Sequence, residues 1–461
     1  MTELNKSRFL NNLFYLMLVF SLLGPSFGFE FHNFKLTFFR LFFLFLILVF
    51  LFKVIRNIND VDLWSVLNFQ HLKIIYPYLL FFFFWLCYGL LGLCWVKSLS
   101  LGLRYLLYLF MMLVLTVSIV YFSFSKSKAF FLMKILFFTF TFIIFYGVFE
   151  SITLIHLPAS RFFYVVSASV TSVFTNQNDL ATCATLGLPF IISSLYMLNI
   201  SPSKKLFIYF VGVLTLYILI ATGSRSNTIL ALPTIIITLL AVLPFTIAKE
   251  KFTRKNLTLA FFAVVFALLF VSFMSQVFLS ENARKSAKSK FASIFGVLLD
   301  IQESSWDLED EEVVEGKTGQ SATVRKYLIL NGLNFLKKSY YLGVGPGNIE
   351  AHMKDAPKVN KVNMHNWWVE VLVNFGVVVF SFYIYLYFLL LKKLFFLFKA
   401  KGISNFVRFG LSSSFVSLVG YFFGAIAPST AIHFVPMWLV YGLALTFLIL
   451  GSKEVGLQKL T

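Results

Sequence analysis

The apolar residues of the chain gather into twelve long hydrophobic runs separated by short polar segments. Windows of about 19 residues place these runs near 9–29, 36–54, 74–95, 101–124, 129–150, 179–199, 206–222, 227–247, 257–279, 366–391, 405–427 and 430–451. Each run is close to the ~20 residues that a helix needs to cross the hydrocarbon core of a bilayer. The pattern therefore predicts an all-α polytopic membrane protein with about twelve transmembrane helices.

Composition strengthens this prediction. Of the 461 residues, 59% are hydrophobic and only 13% are charged, whereas soluble domains carry roughly 25% charged residues. A chain with so few charges has too little polar surface to be soluble. Because twelve runs are present, a single-anchor enzyme is excluded as well.

The charge balance predicts the orientation in the membrane. The chain carries 39 basic and 20 acidic residues. The short loops on the side of the N-terminus hold twenty Lys and Arg, and those on the opposite side hold four. Cytoplasmic loops of membrane proteins collect basic residues, so we expect a multi-pass protein of the cytoplasmic membrane with both termini cytoplasmic. The net charge of +19 is explained in this way, and no nucleic-acid partner is predicted.

One connection is much longer than the others and divides the chain into three parts. Residues 1–279 carry predicted helices one to nine, residues 280–365 form a large extracytoplasmic loop, and residues 366–461 carry helices ten to twelve. Within the loop, the acidic run 300–315 reads as a solvated mobile segment. The mixed apolar and basic stretch Ala322–Lys338 predicts an amphipathic helix at the outer membrane surface.

Four polar features cluster on the predicted outer face, where charged groups in a membrane protein mark function. They are Arg225, Arg325, His365 and the run Asn176–Asp179. A guanidinium group beside a helix start is a receptor for phosphate oxygens, and we expect Ser226 to cap that helix; an arginine that extends to lipid headgroups is the alternative. His365 has the side chain for proton transfer near neutral pH, or it caps the helix that follows it.

The order of motifs resembles a known family. Asn-Gln-Asn-Asp at 176–179 precedes Thr-Gly-Ser-Arg at 222–225, then come Arg325, Gly-Val-Gly-Pro-Gly-Asn at 343–348, His-Asn at 365–366 and Gly376. This order, on the predicted outer face and with one large loop, is similar to the O-antigen ligase and polymerase family. The resemblance implies a GT-C-like, inverting and metal-independent glycosyltransferase that uses an undecaprenyl-diphosphate-linked glycan donor and a glycan acceptor.

The same resemblance assigns roles to individual residues. It implies that His365 is the catalytic base and that Arg225 and Arg325 bind the donor diphosphate. Candidate sugar or acceptor contacts are Asn178, Asn366 and Asn348; Asp179 is as well explained as a helix cap. No cofactor and no metal site are expected. Trp367-Trp368 and the acidic run 300–315 depart from the family pattern.

Three functions remain open at this point. The first is a polymerase that joins lipid-linked repeat units into a surface polysaccharide of the teichuronic acid or capsule type, with other polysaccharide-assembly proteins as partners. The second is a ligase that moves finished glycan to a terminal acceptor. The third is a non-enzymatic flippase or transporter of lipid-linked oligosaccharide, although transporters place ionisable groups near mid-membrane.

Overall fold

The computed structural model describes residues 8–31, 34–56, 70–164, 169–247, 250, 252–279, 320–359, 361–428 and 431–456. The acidic run 300–315 lies outside the described residues. Within these ranges twelve helices are long and apolar enough to cross a membrane. The predicted all-α polytopic fold is confirmed.

The helices follow the hydrophobic runs closely. In chain order they are α1 Arg8–Leu23, α2 Phe38–Arg56, α3 Tyr76–Gly92, α4 Leu99–Phe122, α5 Lys126–Thr153, α6 Gln177–Met197, α7 Pro202–Thr222, α8 Leu232–Thr246, α9 Arg254–Phe278, α10 Gln320–Lys338, α11 Ile349–Met353, α12 Trp367–Lys399, α13 Asn405–Gly424 and α14 Val435–Val455. Three 3-10 turns cover Gly24–Ser26, Gln70–Ile75 and Ala431–His433, and a π-helical turn covers Ser226–Ala231.

A short hairpin between α1 and α2 was not expected from the sequence. Strands β1 Gly28–Phe31 and β2 Phe34–Thr37 pair antiparallel. Aromatic residues of the kind that favour strands dominate this stretch, but its length is far below that of the hydrophobic runs on either side. The hairpin connects two spans and contributes nothing to the site described below.

Helix α14 forms the centre of the bundle. All of its residues from Val435 to Ser452 are buried, and it packs against α4, α12 and α13. Three buried tryptophans, Trp85, Trp367 and Trp438, lie against one another beside it. Because they come from α3, α12 and α14, they fix the ends of these helices on one face of the bundle.

Helix α12 is interrupted at Gly376, and this break organises the long loop. Gly376 has φ of +77°, and a Cβ atom there would lie 2.5 Å from the backbone of Leu342. The loop backbone bonds directly to the broken helix, since the amide of Val344 donates to the carbonyl of Val373 at 2.9 Å and that of Gly345 to Asn374 at 3.0 Å. Only glycine tolerates this approach, so the break holds the 343–348 segment in place.

Candidate active site

The polar features singled out in the sequence lie on one face of the bundle. The connections that follow the fifth, seventh and ninth spans end on the same side of a membrane, because each pair of spans returns the chain to that side. They carry Arg161, Arg225, Arg325 and His365. That this face is the outer one remains a prediction.

Three cationic groups surround His365. The pKa of Arg325 is lowered first by burial and then by the guanidinium of Arg225. The pKa of His365 is lowered first by burial and then by Arg325, Lys361 and Arg161. Residues far apart in sequence are therefore close enough to repel one another, which predicts that an anion belongs between them.

The two predicted diphosphate ligands have no internal counter-ion. Among the described residues, neither Arg225 nor Arg325 has a hydrogen bond or an ion pair with another side chain. Both side chains are partly exposed. Two guanidinium groups that repel each other and lack a carboxylate partner form a receptor for a ligand with several negative oxygens.

Hydrogen bonds of the Asn227 side chain hold the turn that carries Arg225. Helix α7 ends at Gly223, which has φ of +60°. The amide of Asn227 donates to Thr182 and to Ser224, both at 3.0 Å, and its oxygen accepts from Thr185 at 3.1 Å. These bonds join the turn to α6. The prediction that Ser226 caps the next helix was wrong, because the chain becomes helical again at Arg225, one residue earlier, and Ser226 already belongs to the π-helical turn.

Helix α10 presents Arg325 to the site and packs on the segment that carries His365. Leu328 and Met364 belong to one small apolar cluster with residues of α11 and α12. Gly332 allows the close contact, since a Cβ atom there would meet Met364 Cε at 2.2 Å. The helix forms where the amphipathic pattern predicts it, and this packing sets the position of Arg325 relative to His365.

The backbone of His365 is itself unusual. Its φ is +51°, a left-handed conformation that costs a non-glycine residue about 1–2 kcal/mol. Asn366 caps α12 directly after it, accepting from the amides of Trp368 at 3.1 Å and Val369 at 3.3 Å, and Trp367 donates to Ala425 at 3.1 Å. The capped helix start therefore holds His365 in this conformation, and strain of this kind concentrates at functional sites.

The imidazole of His365 is held neutral. Burial and the three cations lower its pKa to about 4, below the usual value of about 6.5 that the sequence alone led us to expect. Its Nδ1 atom is buried and has no hydrogen-bond partner among the described residues. A neutral ring with an unpaired nitrogen is able to accept a hydrogen bond, and then a proton, from a bound hydroxyl group.

The Asn176–Asp179 run opens α6 as predicted and lies beside Arg161. Asn176 is the N-cap and accepts from the amide of Asn178 at 3.0 Å, so the cap is Asn176 rather than Asp179. Arg161 donates to Gln177 at 2.8 Å, and Asp179 partly opposes the lowering of its pKa by burial. Arg161 thus links this run to His365.

The three asparagines predicted to contact sugar differ in their surroundings. Asn348 is fully buried, and its side chain bonds to the backbone of Ser98 and Pro346, which favours a structural role. The Asn366 oxygen serves as a helix cap. Asn178 is partly exposed, and its side chain has no hydrogen bond to another described residue.

Among the described residues, no group of three or more His, Cys, Asp and Glu side chains is arranged to hold a metal ion. A metal-independent, cofactor-free reaction remains a prediction that needs the biochemical test given below.

Comparisons with known proteins agree with this geometry. Residues 210–384 match the family model described as O-antigen ligase, and this stretch contains Arg225, Arg325 and His365. The resemblance to the O-antigen ligase and polymerase family is confirmed. The chain is also 28% identical over 459 residues to the teichuronic acid biosynthesis protein TuaE of Bacillus subtilis (strain 168), covering 95% of this chain and 84% of that protein.

Two residues of the site were not singled out in the sequence. Arg161 counted only as a loop charge, and it lies before the O-antigen ligase match, as does the Asn176–Asp179 run. Asn227 lies two residues after the Thr-Gly-Ser-Arg motif, and an amide at the start of an apolar run is the signal that would have indicated it.

Proposed function

We propose that this protein polymerises undecaprenyl-diphosphate-linked repeat units into a cell-surface polysaccharide at the outer face of the cytoplasmic membrane. The observation that carries the proposal is the meeting of Arg225, Arg325 and a neutral His365 at one site. The O-antigen ligase match and the similarity to a teichuronic acid biosynthesis protein support a polysaccharide as the product.

Each part of the site has a step in the reaction. His365 takes the proton from the acceptor hydroxyl as its oxygen attacks the anomeric carbon of the donor sugar. The bond between that carbon and the diphosphate oxygen breaks, and the configuration inverts. Arg225 and Arg325 bind the departing diphosphate and stabilise its negative charge. Because the leaving group is already a good one, a base and these cations are sufficient.

The low pKa of His365 fits this order of events. In the free site the cations disfavour an imidazolium. A bound diphosphate brings negative charge beside Arg325 and so raises the pKa of His365 again. The base therefore becomes stronger when the donor is in place.

Replacement of His365 by Ala tests the proposal. We expect the variant to remain in the membrane and transfer to fall by about 100- to 10,000-fold, so that cells accumulate single lipid-linked repeat units on the outer leaflet. His352→Gln is the matched control, because His352 belongs to the same loop but packs on Phe335. Normal polymer from a well-expressed His365→Ala variant would eliminate the catalytic role.

A ligase is the second candidate, and the description of the matching family model favours it. The two activities use the same site and differ in the acceptor. A purified protein that elongates lipid-linked units without any other acceptor is a polymerase; one that transfers glycan only to a terminal acceptor is a ligase.

A flippase is disfavoured by the position of the charges, since Arg225, Arg325 and His365 lie at span ends or in the long loop. Loss of a flippase would leave lipid-linked units on the inner leaflet, whereas loss of the base leaves them on the outer one.

A further inference from the structure

A polar cavity lies next to the site formed by Arg225, Arg325 and His365, which is called the cation site below. It has a volume of about 310 Å³ and opens between the start of α4, the α11 segment, the start of α12 and the 3-10 turn Ala431–His433. Neither Arg225 nor Arg325 lines it. Its volume corresponds to about ten water molecules, at the small end of ligand pockets, and suits about one or two monosaccharide rings.

The charges lining this cavity are paired, in contrast to those of the cation site. Arg104 forms an ion pair with Glu350 at 3.0 Å. The buried carboxyl of Glu370 accepts from the hydroxyl of Tyr105 at 2.9 Å and from the amide of Ala431 at 3.3 Å. Because the lining arginine already pairs with Glu350 and Glu370 is a further carboxyl group, the described lining residues offer no unpaired arginine or lysine to an anion, and the cavity is suited to a neutral group with many hydroxyls.

The remaining lining groups complete the chemistry that a sugar requires. The rings of Tyr108 and His433 stack at 3.8 Å, and His433 is exposed where it lines the cavity. Asn374 is 2% exposed, and its Oδ1 atom has no hydrogen-bond partner among the described residues. Each ring covers one face of the other, and Arg40 lies over the Tyr108 ring, so the exposed His433 is the ring that can receive the apolar face of a sugar. A buried oxygen without a partner needs a donor such as a hydroxyl group.

The cavity adjoins the segment that carries the proposed base. Val362, Asn363 and Met364 line it, and His365 is the next residue in the chain. A ring bound against this segment is therefore next to the residue that precedes His365, although His365 itself does not line the cavity. The diphosphate-binding groups come from other elements, α10 and the turn after α7.

On the basis of the transfer reaction proposed above, we infer that this cavity is the acceptor subsite, which binds about one or two sugar rings of the glycan whose hydroxyl His365 deprotonates. The donor diphosphate binds separately, at Arg225 and Arg325. The inference adds to the proposed function a substrate site formed by Tyr108, Glu350, Asn363, Glu370 and Asn374.

A binding experiment separates this subsite from the donor site. The probes are lipid-free oligosaccharides, released by mild acid from the host's own surface polysaccharide, and an undecaprenyl-diphosphate-linked disaccharide. Both are titrated into purified full-length protein in nanodiscs. Asn363→Trp fills the cavity, and we expect it to weaken oligosaccharide binding at least about 10-fold while the affinity for the lipid-linked probe is unchanged. Lys354→Trp, at an exposed position beyond the cavity, should change neither.

Asn374→Leu supplies a second variant should the tryptophan disturb folding. It has nearly the same shape as Asn374 and removes an oxygen that has no partner among the described residues, together with an amide group that interacts with Tyr105. We expect a folded protein of slightly lower thermal stability whose oligosaccharide binding is about 2- to 10-fold weaker, the loss that one hydrogen bond predicts. A purely structural Asn374 would leave binding unchanged.

Three outcomes overturn the inference: no oligosaccharide binding to the wild type, unchanged binding to both variants, or weakening confined to the lipid-linked probe, which would assign the cavity to the donor sugars. The titration is repeated in His365→Ala protein, where binding should persist without transfer. Failure of the polymerase proposal would therefore appear in the polymer assay, and failure of the subsite would appear only in binding.

Discussion

The pH dependence of transfer distinguishes a buried, cation-flanked base from an ordinary surface histidine. Only neutral His365 accepts the acceptor's proton, so activity is lost as pH falls through its pKa. With a pKa of about 4, about 97% of His365 is neutral at pH 5.5; an unperturbed value of about 6.5 would leave only about 9% neutral. We expect kcat/KM, which reports the free enzyme, to stay near its maximum at pH 5.5 and to fall near pH 4.

The fall of kcat/KM at low pH is the acid limb of the pH profile. Removing a neighbouring cation should move this limb to higher pH. The lowering from 6.5 to about 4 corresponds to about 3 kcal/mol. Burial is the largest cause and Arg325 the second, so Arg325 supplies less than half. Arg325→Gln and Arg161→Gln should therefore each raise the limb by at most about one pH unit. Lys337→Gln, on the exposed face of the same helix as Arg325, is the control and should leave it in place.

The assay is elongation of a fluorescent undecaprenyl-diphosphate-linked substrate by purified protein in nanodiscs between pH 4 and 8. Because other groups titrate in this range, histidine labelled with ¹³C at Cε1 gives an independent titration. The chain has only six histidines, and His365→Gln assigns the signal. A wild-type limb near pH 6.5, or a limb that neither arginine substitution moves, would refute the electrostatic account of His365.

The remaining predictions concern the cations, the metal, the turn and the topology. Arg225→Lys and Arg325→Lys should both impair transfer although charge is retained, because a lysine ammonium cannot form the two-pronged contact with a diphosphate; wild-type rates in both would exclude this binding mode. Activity should survive EDTA, and a complete loss restored by magnesium or manganese would instead point to the carboxylates of 300–315. Asn227→Ala should lower the thermal midpoint, since it removes the buried bonds to Thr182, Thr185 and Ser224 at a cost of about 1–3 kcal/mol; an unchanged midpoint contradicts this. Tyr164, 93% exposed, should be labelled in intact cells as Tyr164→Cys in a cysteine-free protein, and labelling only after permeabilisation would reverse the orientation.

The twelve spans could be predicted from sequence because a transmembrane helix is specified by local composition. The common face of Arg225, Arg325 and His365 followed from counting spans, which needs no knowledge of packing. The three-dimensional pairings did not follow. Nothing local in the sequence shows that Arg161 approaches His365, or that Asn227 bonds to Thr182 and Thr185, because these contacts join segments tens of residues apart.

Local capping rules also failed to predict the structure of this site. Ser226 has the right chemistry for a helix cap, but the chain is already helical at Arg225, so Ser226 lies inside the first turn of the helix rather than at its cap position. The pKa of His365 was predicted from its exposed position at a helix start. Its lowering depends on burial and on three cations, of which Arg325 and Arg161 come from distant segments that the local stretch of sequence does not contain.

The arrangement of helices α10 and α12 explains why the site is divided between two substrates. Helix α12 carries the cap Asn366 and the cavity residues Glu370 and Asn374, and its break at Gly376 holds the 343–348 segment. The proposed base therefore adjoins the α12 side of the acceptor subsite. Arg325 comes from α10, which meets the segment before α12 through the contact of Gly332 with Met364, whereas Arg225 lies on the turn that is bonded to α6. The distance between Arg325 and the base is thus set at the contact of α10 with Met364, so a larger residue at position 332 would separate these two groups without touching either ligand.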